Sequence, residues 1–341
     1  MRLHPTHALV LICATASLAQ AAPVIDLEIA TERGVQITAP REWLQQLAGL
    51  GITNVRIRTA TANDNPAAEN RGTAERPRFH VVGILTPRNE LRLPGGTFRA
   101  SDGSRLAEYL ARLAADGPES LTAELGRFGL TEKEYAGVYA DLAQPLNFAT
   151  EGQSLQTILA KSQAKFSHRL APDAAADRIL RTAKPVPDEV GELTAGTALA
   201  IVLKNYGLAL RPEKPRGAPV TLRIVSVESV NSADDIWPIG WDPQTSSRET
   251  APMLFEFFNV EIDGYSLQEA VDAIAPRLKL PIYWDHAALA ANQIDPAKIQ
   301  VHLPKTRIYY KRILDRVLSQ ARLSAQLRVD EAGTAFLWIT K

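Results

Sequence analysis

Residues 260–268 read V-E-I-D-G-Y-S-L-Q and residues 148–156 read F-A-T-E-G-Q-S-L-Q, so one short cassette occurs twice. In each copy an alternating segment runs into an acidic residue and a glycine, then a serine suited to capping a helix, then apolar residues at helical spacing. That grammar describes a strand turning tightly into a helix, and its recurrence marks an internal repeat. In the later copy Ser266 and Glu269 have the spacing of a capping box, while Leu267, Val271, Ile274 and Leu278 form one apolar stripe. Leu155, Leu159 and Phe166 take the matching stripe in the earlier copy.

Each stripe leads to a second strand, over residues 167–170 and 281–284, and then to a second amphipathic helix, over 198–206 and 309–321. Closing strands follow at 221–227 in one copy and at 325–329 with 335–339 in the other. The expected class is α+β, with two βαββαβ-type repeats at 144–230 and 254–341. Each is expected to be a small sheet with two helices on one face. A Pro- and Trp-containing linker, 231–253, joins them.

Residues 22–143 read as an N-terminal α/β unit. Ile25 and Ile29 lie in a strand, Pro40 opens a helix carrying Trp43, Leu44 and Leu47, and Val55, Ile57 and Thr59 alternate as a second strand. Residues 60–77 show no apolar period and read as a loop. A strand at 78–85 precedes a hairpin broken by Pro94-Gly95-Gly96. Helices then carry Leu106, Tyr109, Leu110 and Leu113, and Tyr135, Val138 and Leu142.

The first 21 residues have the layout of a cleaved export signal: Arg2, an apolar run over 8–18, and the small-residue exit Ala19-Gln20-Ala21. The run is shorter than the roughly 20 residues a bilayer-spanning helix needs, and no later stretch is longer. No transmembrane segment is therefore expected in the mature chain. Ile12 before Cys13 argues against lipid attachment, and loss of the lone Cys13 with the signal leaves no disulfide or thiolate site. Aromatic residues make up only 6% and Ala, Leu, Arg and Pro abound, a composition typical of GC-rich bacterial genomes, so the expected location is periplasmic or secreted. Lys+Arg and Asp+Glu both total 38, which gives no basic footprint for nucleic acid.

The later repeat, with Asp263-Gly264, Ser266-Leu267, Ala270-Val271 and a second helix ending Leu318-Ser319-Gln320-Ala321-Arg322-Leu323, resembles the short N-terminal domain shared by secretins and TonB-dependent receptors. The resemblance covers 254–341 and, more weakly, 144–227. It implies docking to a protein of the envelope, or self-association, rather than transport, because no pore, plug or barrel segment is read after Lys341. Including Leu91-Arg92-Leu93-Pro94-Gly95-Gly96 and Trp237-Pro238-Ile239-Gly240-Trp241, the whole chain is also similar to secreted planctomycete-type proteins of unassigned function.

Candidate chemistry is sparse. Trp284-Asp285-His286 ends a strand, where an Asp-His pair suits acid-base work or a ligand; Asp285 equally suits the cap of a following helix. Trp237 and Trp241 lie in the irregular linker, either as an exposed platform for peptide or sugar or folded back to pin the linker. His80, His168, His286 and His302 lack metal-ligand spacing, no Gly-x-Ser-x-Gly elbow occurs, and Gly95-Gly96 lacks a phosphate-loop continuation. No catalytic residue, metal or cofactor is expected. The expected role is an exported, non-catalytic adaptor, with a periplasmic hydrolase or polysaccharide-acting enzyme as the alternative.

Overall fold

A computed structural model describes residues 23–73, 76–215 and 217–341. The expected export signal, with Arg2, Cys13 and cleavage after Ala21, lies outside the described residues. The protein is mixed α+β and divides into two compact units, residues 1–123 and 124–341.

In the first unit the elements run β1 (Val24–Thr31), α1 (Ala39–Gly49), β2 (Val55–Thr59), β3 (Ala67–Asn70), β4 (Arg78–Leu85), β5 (Glu90–Leu93), β6 (Gly96–Arg99) and α2 (Gly103–Asp116). The sheet order is β2-β1-β4-β5-β6, with β1 parallel to both β2 and β4. Strand alternation sorts the two faces of β1. Leu27 and Ile29 are buried in one core with Trp43, Leu47, Leu106 and Leu113 from the two helices. Asp26 and Glu28 face the other way, where Glu28 meets Arg58 at 2.5 Å and Arg58 in turn grips Asp64 at 2.6 Å. The expected loop at 60–77 contains β3, which pairs antiparallel with β4. Its sequence A-A-E-N has no apolar alternation, so the pairing partner rather than local pattern makes it a strand.

The second unit runs α3 (Glu132–Leu142), α4 (Leu155–Gln163), β7 (Arg169–Pro172), α5 (Ala174–Thr182), α6 (Ala195–Lys204), β8 (Leu208–Glu213), β9 (Thr221–Ser226) and a short α7 (Ser247–Thr250). It continues through β10 (Phe257–Ser266), α8 (Leu267–Leu278), β11 (Ile282–Trp284), α9 (His286–Ala291), β12 (Gln300–Tyr309), α10 (Tyr310–Gln320), β13 (Ser324–Val329) and β14 (Ala335–Thr340). Helix α3 was expected to close the N-terminal unit; instead Val138 and Leu142 are buried in a core of the second unit with Leu199 and Val202 of α6.

Strand directions match between the two segments. In the sheet β7-β9-β8, β7 is parallel and β8 antiparallel to β9; in β11-β14-β13, β11 is parallel and β13 antiparallel to β14. Leu155, Leu159 and Phe166 are buried, as are Leu267, Val271 and Leu278.

The expected single sheet with both helices on one face is not what forms. In the later segment β10 and β12 make a separate two-stranded ribbon, and α10 packs against β12 and β13, so it lies between two sheets. The earlier segment reduces the ribbon to one bridge, Pro145 with Thr194. The Asp263-Gly264 turn is likewise different: β10 continues to Ser266, and Gly264, at φ 76°, sits in an irregularity between Ile262 and Tyr265. A glycine accepts the positive φ of such a bulge without side-chain strain. Ser266 does cap α8, accepting the Glu269 amide at 3.2 Å while the Glu269 carboxylate accepts the Ser266 amide at 2.8 Å.

Strand β14 is buried on both faces. Phe336 and Trp338 enter the core built on α3, α4 and α6, while Leu337 and Ile339 enter the core built on α8 and α10. The two segments therefore share one sheet between their cores.

Candidate functional site

The strand-end motif is consumed by structure. Asp285 is 4% exposed, accepts the Ala288 amide at 2.9 Å as the cap of α9, and accepts the Thr340 hydroxyl at 3.0 Å with its other oxygen. Trp284 is buried in the later core. His286 turns away from Asp285 and places Nε2 3.1 Å from Oδ1 of Asp188, in the earlier segment, whose Oδ2 accepts from Asn205 at 2.8 Å. Adjacent in sequence, Asp285 and His286 do not converge on a common point.

The hydrogen bond to Asp188 raises the His286 pKa above its ordinary 6.5; burial opposes this, and the charges of Asp188 and Asp285 reinforce it. A raised folded-state value means that the contact stabilises the fold fully below about pH 6.5 and fades as the pH climbs through the folded pKa. The stability gap between the native protein and His286→Ala should therefore be largest near pH 6 and shrink toward pH 9. Thermal unfolding across that range checks it; a gap that widens with pH contradicts the assignment.

The two linker tryptophans are not a free platform. Trp237 is 2% exposed, and its indole donates to Oε1 of Glu331 at 2.5 Å. Trp241 donates to the same oxygen at 3.4 Å, with its ring edge-on to Trp237 at 5.4 Å. Phe128, Tyr135 and Tyr139 surround Trp237, and the Arg127 guanidinium sits 4.6 Å above the Trp241 ring. The backbone is stitched as well: Trp237 donates to Leu210 at 2.7 Å and Trp241 to Val329 at 2.7 Å. The linker is thus pinned against both segments.

Glu331 was not singled out in the sequence, yet it organises this centre. Besides the two indoles, its carboxylate accepts from the Thr194 hydroxyl, the Thr197 hydroxyl at 2.9 Å and the Thr197 amide at 3.2 Å. Asp330 accepts the Thr194 amide at 3.0 Å. Helix α6 has no side-chain cap of its own, so two carboxylates from the β13–β14 turn satisfy its N-terminal donors and suit its dipole. Gly196 makes room for this: a β-carbon there would come within 2.5 Å of the Trp237 indole nitrogen, 2.6 Å of the Glu331 carboxylate and 2.9 Å of Leu142. Gly196→Ala, which helix propensity alone would favour by about 1 kcal/mol, is therefore expected to destabilise by about 1 to 3 kcal/mol through overpacking. A higher denaturation midpoint for this variant would show that the contact relaxes freely.

A serine, a histidine and an aspartate also meet at β7. The buried carboxylate of Asp141 accepts from the Ser167 hydroxyl at 3.0 Å, from the His168 amide at 2.8 Å, and lies 2.8 Å from His168 Nδ1. Burial pushes the Asp141 carboxyl up, but the hydrogen bonds from His168 and Ser167 outweigh it and hold it below the usual carboxylate range. The serine bonds the carboxylate rather than the far imidazole nitrogen, so the base is not positioned to activate it. This cluster anchors α3 to β7.

Two surface depressions among the described residues bear on function. One, of about 330 Å³, is lined by Phe128, Arg211, Glu213, Lys214 and Asp235; Arg211 meets Glu213 at 3.0 Å, and Lys214 meets Glu134, outside the lining, at 2.5 Å. The other, of about 240 Å³, runs between β10 and α8, with Phe258, Val260 and Ile262 on one side and Ala270, Ala273 and Ile274 on the other. Arg277 stacks on Phe258 at 4.6 Å at one end. Strand β10 pairs only with β12, so its edge beside this groove carries no partner strand among the described residues.

Among the described residues no group of three His, Cys, Asp or Glu is placed to hold a metal ion, and no helix is long and apolar enough to cross a membrane. No protein-family model, curated protein or solved structure matches the chain.

Proposed function

We propose that this protein is an exported, non-catalytic adaptor of the bacterial envelope that docks a partner protein through its C-terminal segment. The observation that carries the reading is the unpartnered edge of β10 beside the apolar groove against α8. A free edge offers a row of backbone donors and acceptors, and an adjoining apolar groove offers area to bury, which together suit strand addition. The fate of the polar candidates supports the same reading, since Asp285, His286, Glu331 and Asp141 are each engaged within the fold. The resemblance of 254–341 to the short N-terminal domain of secretins and TonB-dependent receptors points the same way, toward docking.

The test is affinity capture of the exported protein from its native envelope, compared with Ala273→Trp, which fills the groove from an exposed helical position. The adaptor reading expects one captured protein that is lost with the variant. Turnover of an envelope polysaccharide or peptide that disappears on Asp285→Ala or His286→Ala, with the fold intact, would overturn it in favour of a hydrolase.

A further inference from the structure

We infer that the β10 edge takes an extended peptide segment in which apolar and basic residues alternate, a deepening that rests on the docking reading above. Burial alternates along β10 from Phe257 to Ile262, although the register with β12 shifts between Val260 and Ile262 and again between Ile262 and Tyr265, where Gly264 sits. Within that stretch Val260 and Ile262 are buried toward the helices, while Phe257, Asn259 and Glu261 face solvent, Phe257 at 64% exposure. A strand added along this edge places alternate side chains beside the two sets. Those beside Val260 and Ile262 enter the groove against Ala270, Ala273 and Ile274 and must be apolar. Those on the other face stand next to Asn259, which is paired with Arg307, and next to Glu261, which also borders the groove. Glu261 forms no ion pair among the described residues, so a cation across from it is favoured and an anion is opposed.

The same geometry disfavours a second copy as the occupant. Antiparallel pairing of β10 with itself about a two-fold axis must keep solvent-facing residues opposite solvent-facing residues. In the registers available, Glu261 then faces Phe257, Asn259 or its own symmetry mate, and never a cation. A ten-residue ribbon of two strands is also the smaller of the two sheets that enclose α10, and a third strand would bring it level with the three-stranded sheet opposite.

Fluorescence anisotropy with three synthetic octapeptides tests this: alternating valine and lysine, alternating valine and glutamate, and the valine-lysine composition with its valines contiguous. The alternating valine-lysine peptide should bind about tenfold tighter than either control. Glu261→Lys should reverse the preference toward the glutamate peptide, and Ala273→Trp should weaken valine-lysine binding about tenfold, with circular dichroism showing both variants folded. Equal binding of the lysine and glutamate peptides, or no change with either variant, overturns the proposal. A dimer by light scattering that Ala273→Trp makes monomeric overturns it too, because the edge then belongs to a second copy. Failure of all three peptides alongside groove-dependent capture of an envelope protein would sink the peptide chemistry and leave docking standing, whereas loss of the capture result would remove docking itself.

Discussion

Trp237→Ala is expected to be the most damaging single substitution in the second unit, lowering its stability by about 3 to 5 kcal/mol, the range for deleting a buried aromatic side chain. The ring is among the largest fully buried side chains, stacked with Phe128 at 5.7 Å and edge-on to Trp241. Its loss also removes the nearest indole donor from Glu331, and a carboxylate deprived of a donor carries its own penalty of about 1 to 3 kcal/mol. Trp237→Phe separates the two effects, since it retains most of the packing and removes only the donor. Urea unfolding of both variants checks the ordering. If Trp237→Ala unfolds at the native midpoint, the linker is not a structural element.

Leu318→Ala follows, at about 2 to 5 kcal/mol, against the 5 to 15 kcal/mol typical of a whole domain. Leu318 is fully buried on α10, in the stripe formed with Tyr310, Ile313, Leu314 and Val317. Because α10 packs against β12 and β13, a cavity there has rigid walls on two sides and little room to collapse. Leu318→Met, which nearly conserves volume, should cost less than about 1.5 kcal/mol. Similar midpoints for the two variants would place Leu318 outside the core.

Caps and periodicity carried the legible part of the fold. Ser266 with Glu269 and the Leu267 to Leu278 stripe were readable because both their partners and their period are local. So were the helices around Trp43 and Leu106. What escaped depends on tertiary partners rather than on local pattern. Strand β3 exists because β4 lies beside it, and the division into ribbon and sheet depends on where α10 comes to rest.

The site was legible only in its negative half. Asp285 as a cap and the linker tryptophans as anchors were both weighed from the sequence, and both functions are visible in the bonds they make. Glu331 resembled any acidic residue in a turn, since its partners Thr194 and Thr197 lie more than a hundred positions upstream. The sequence does carry a signal for β14: residues 335–340, A-F-L-W-I-T, form an almost unbroken apolar run, which is the mark of a strand buried on both faces. The groove was invisible for a different reason, because an unpaired edge is a property of the assembled sheet and of no single residue.

The sharing of β14 between two cores bears on how fast the second unit can form. Contacts such as Tyr139 with Glu331 join positions separated by 192 residues. Closing loops of that size costs entropy before any burial is gained, and chains dominated by such contacts cross their folding barrier slowly. Helices α8 and α10 can associate early through nearby sequence, but neither core is sealed until one strand is inserted between them. Insertion of β14 is therefore expected to be the late step in folding of the second unit, with the apolar surfaces of both cores bare until it is complete.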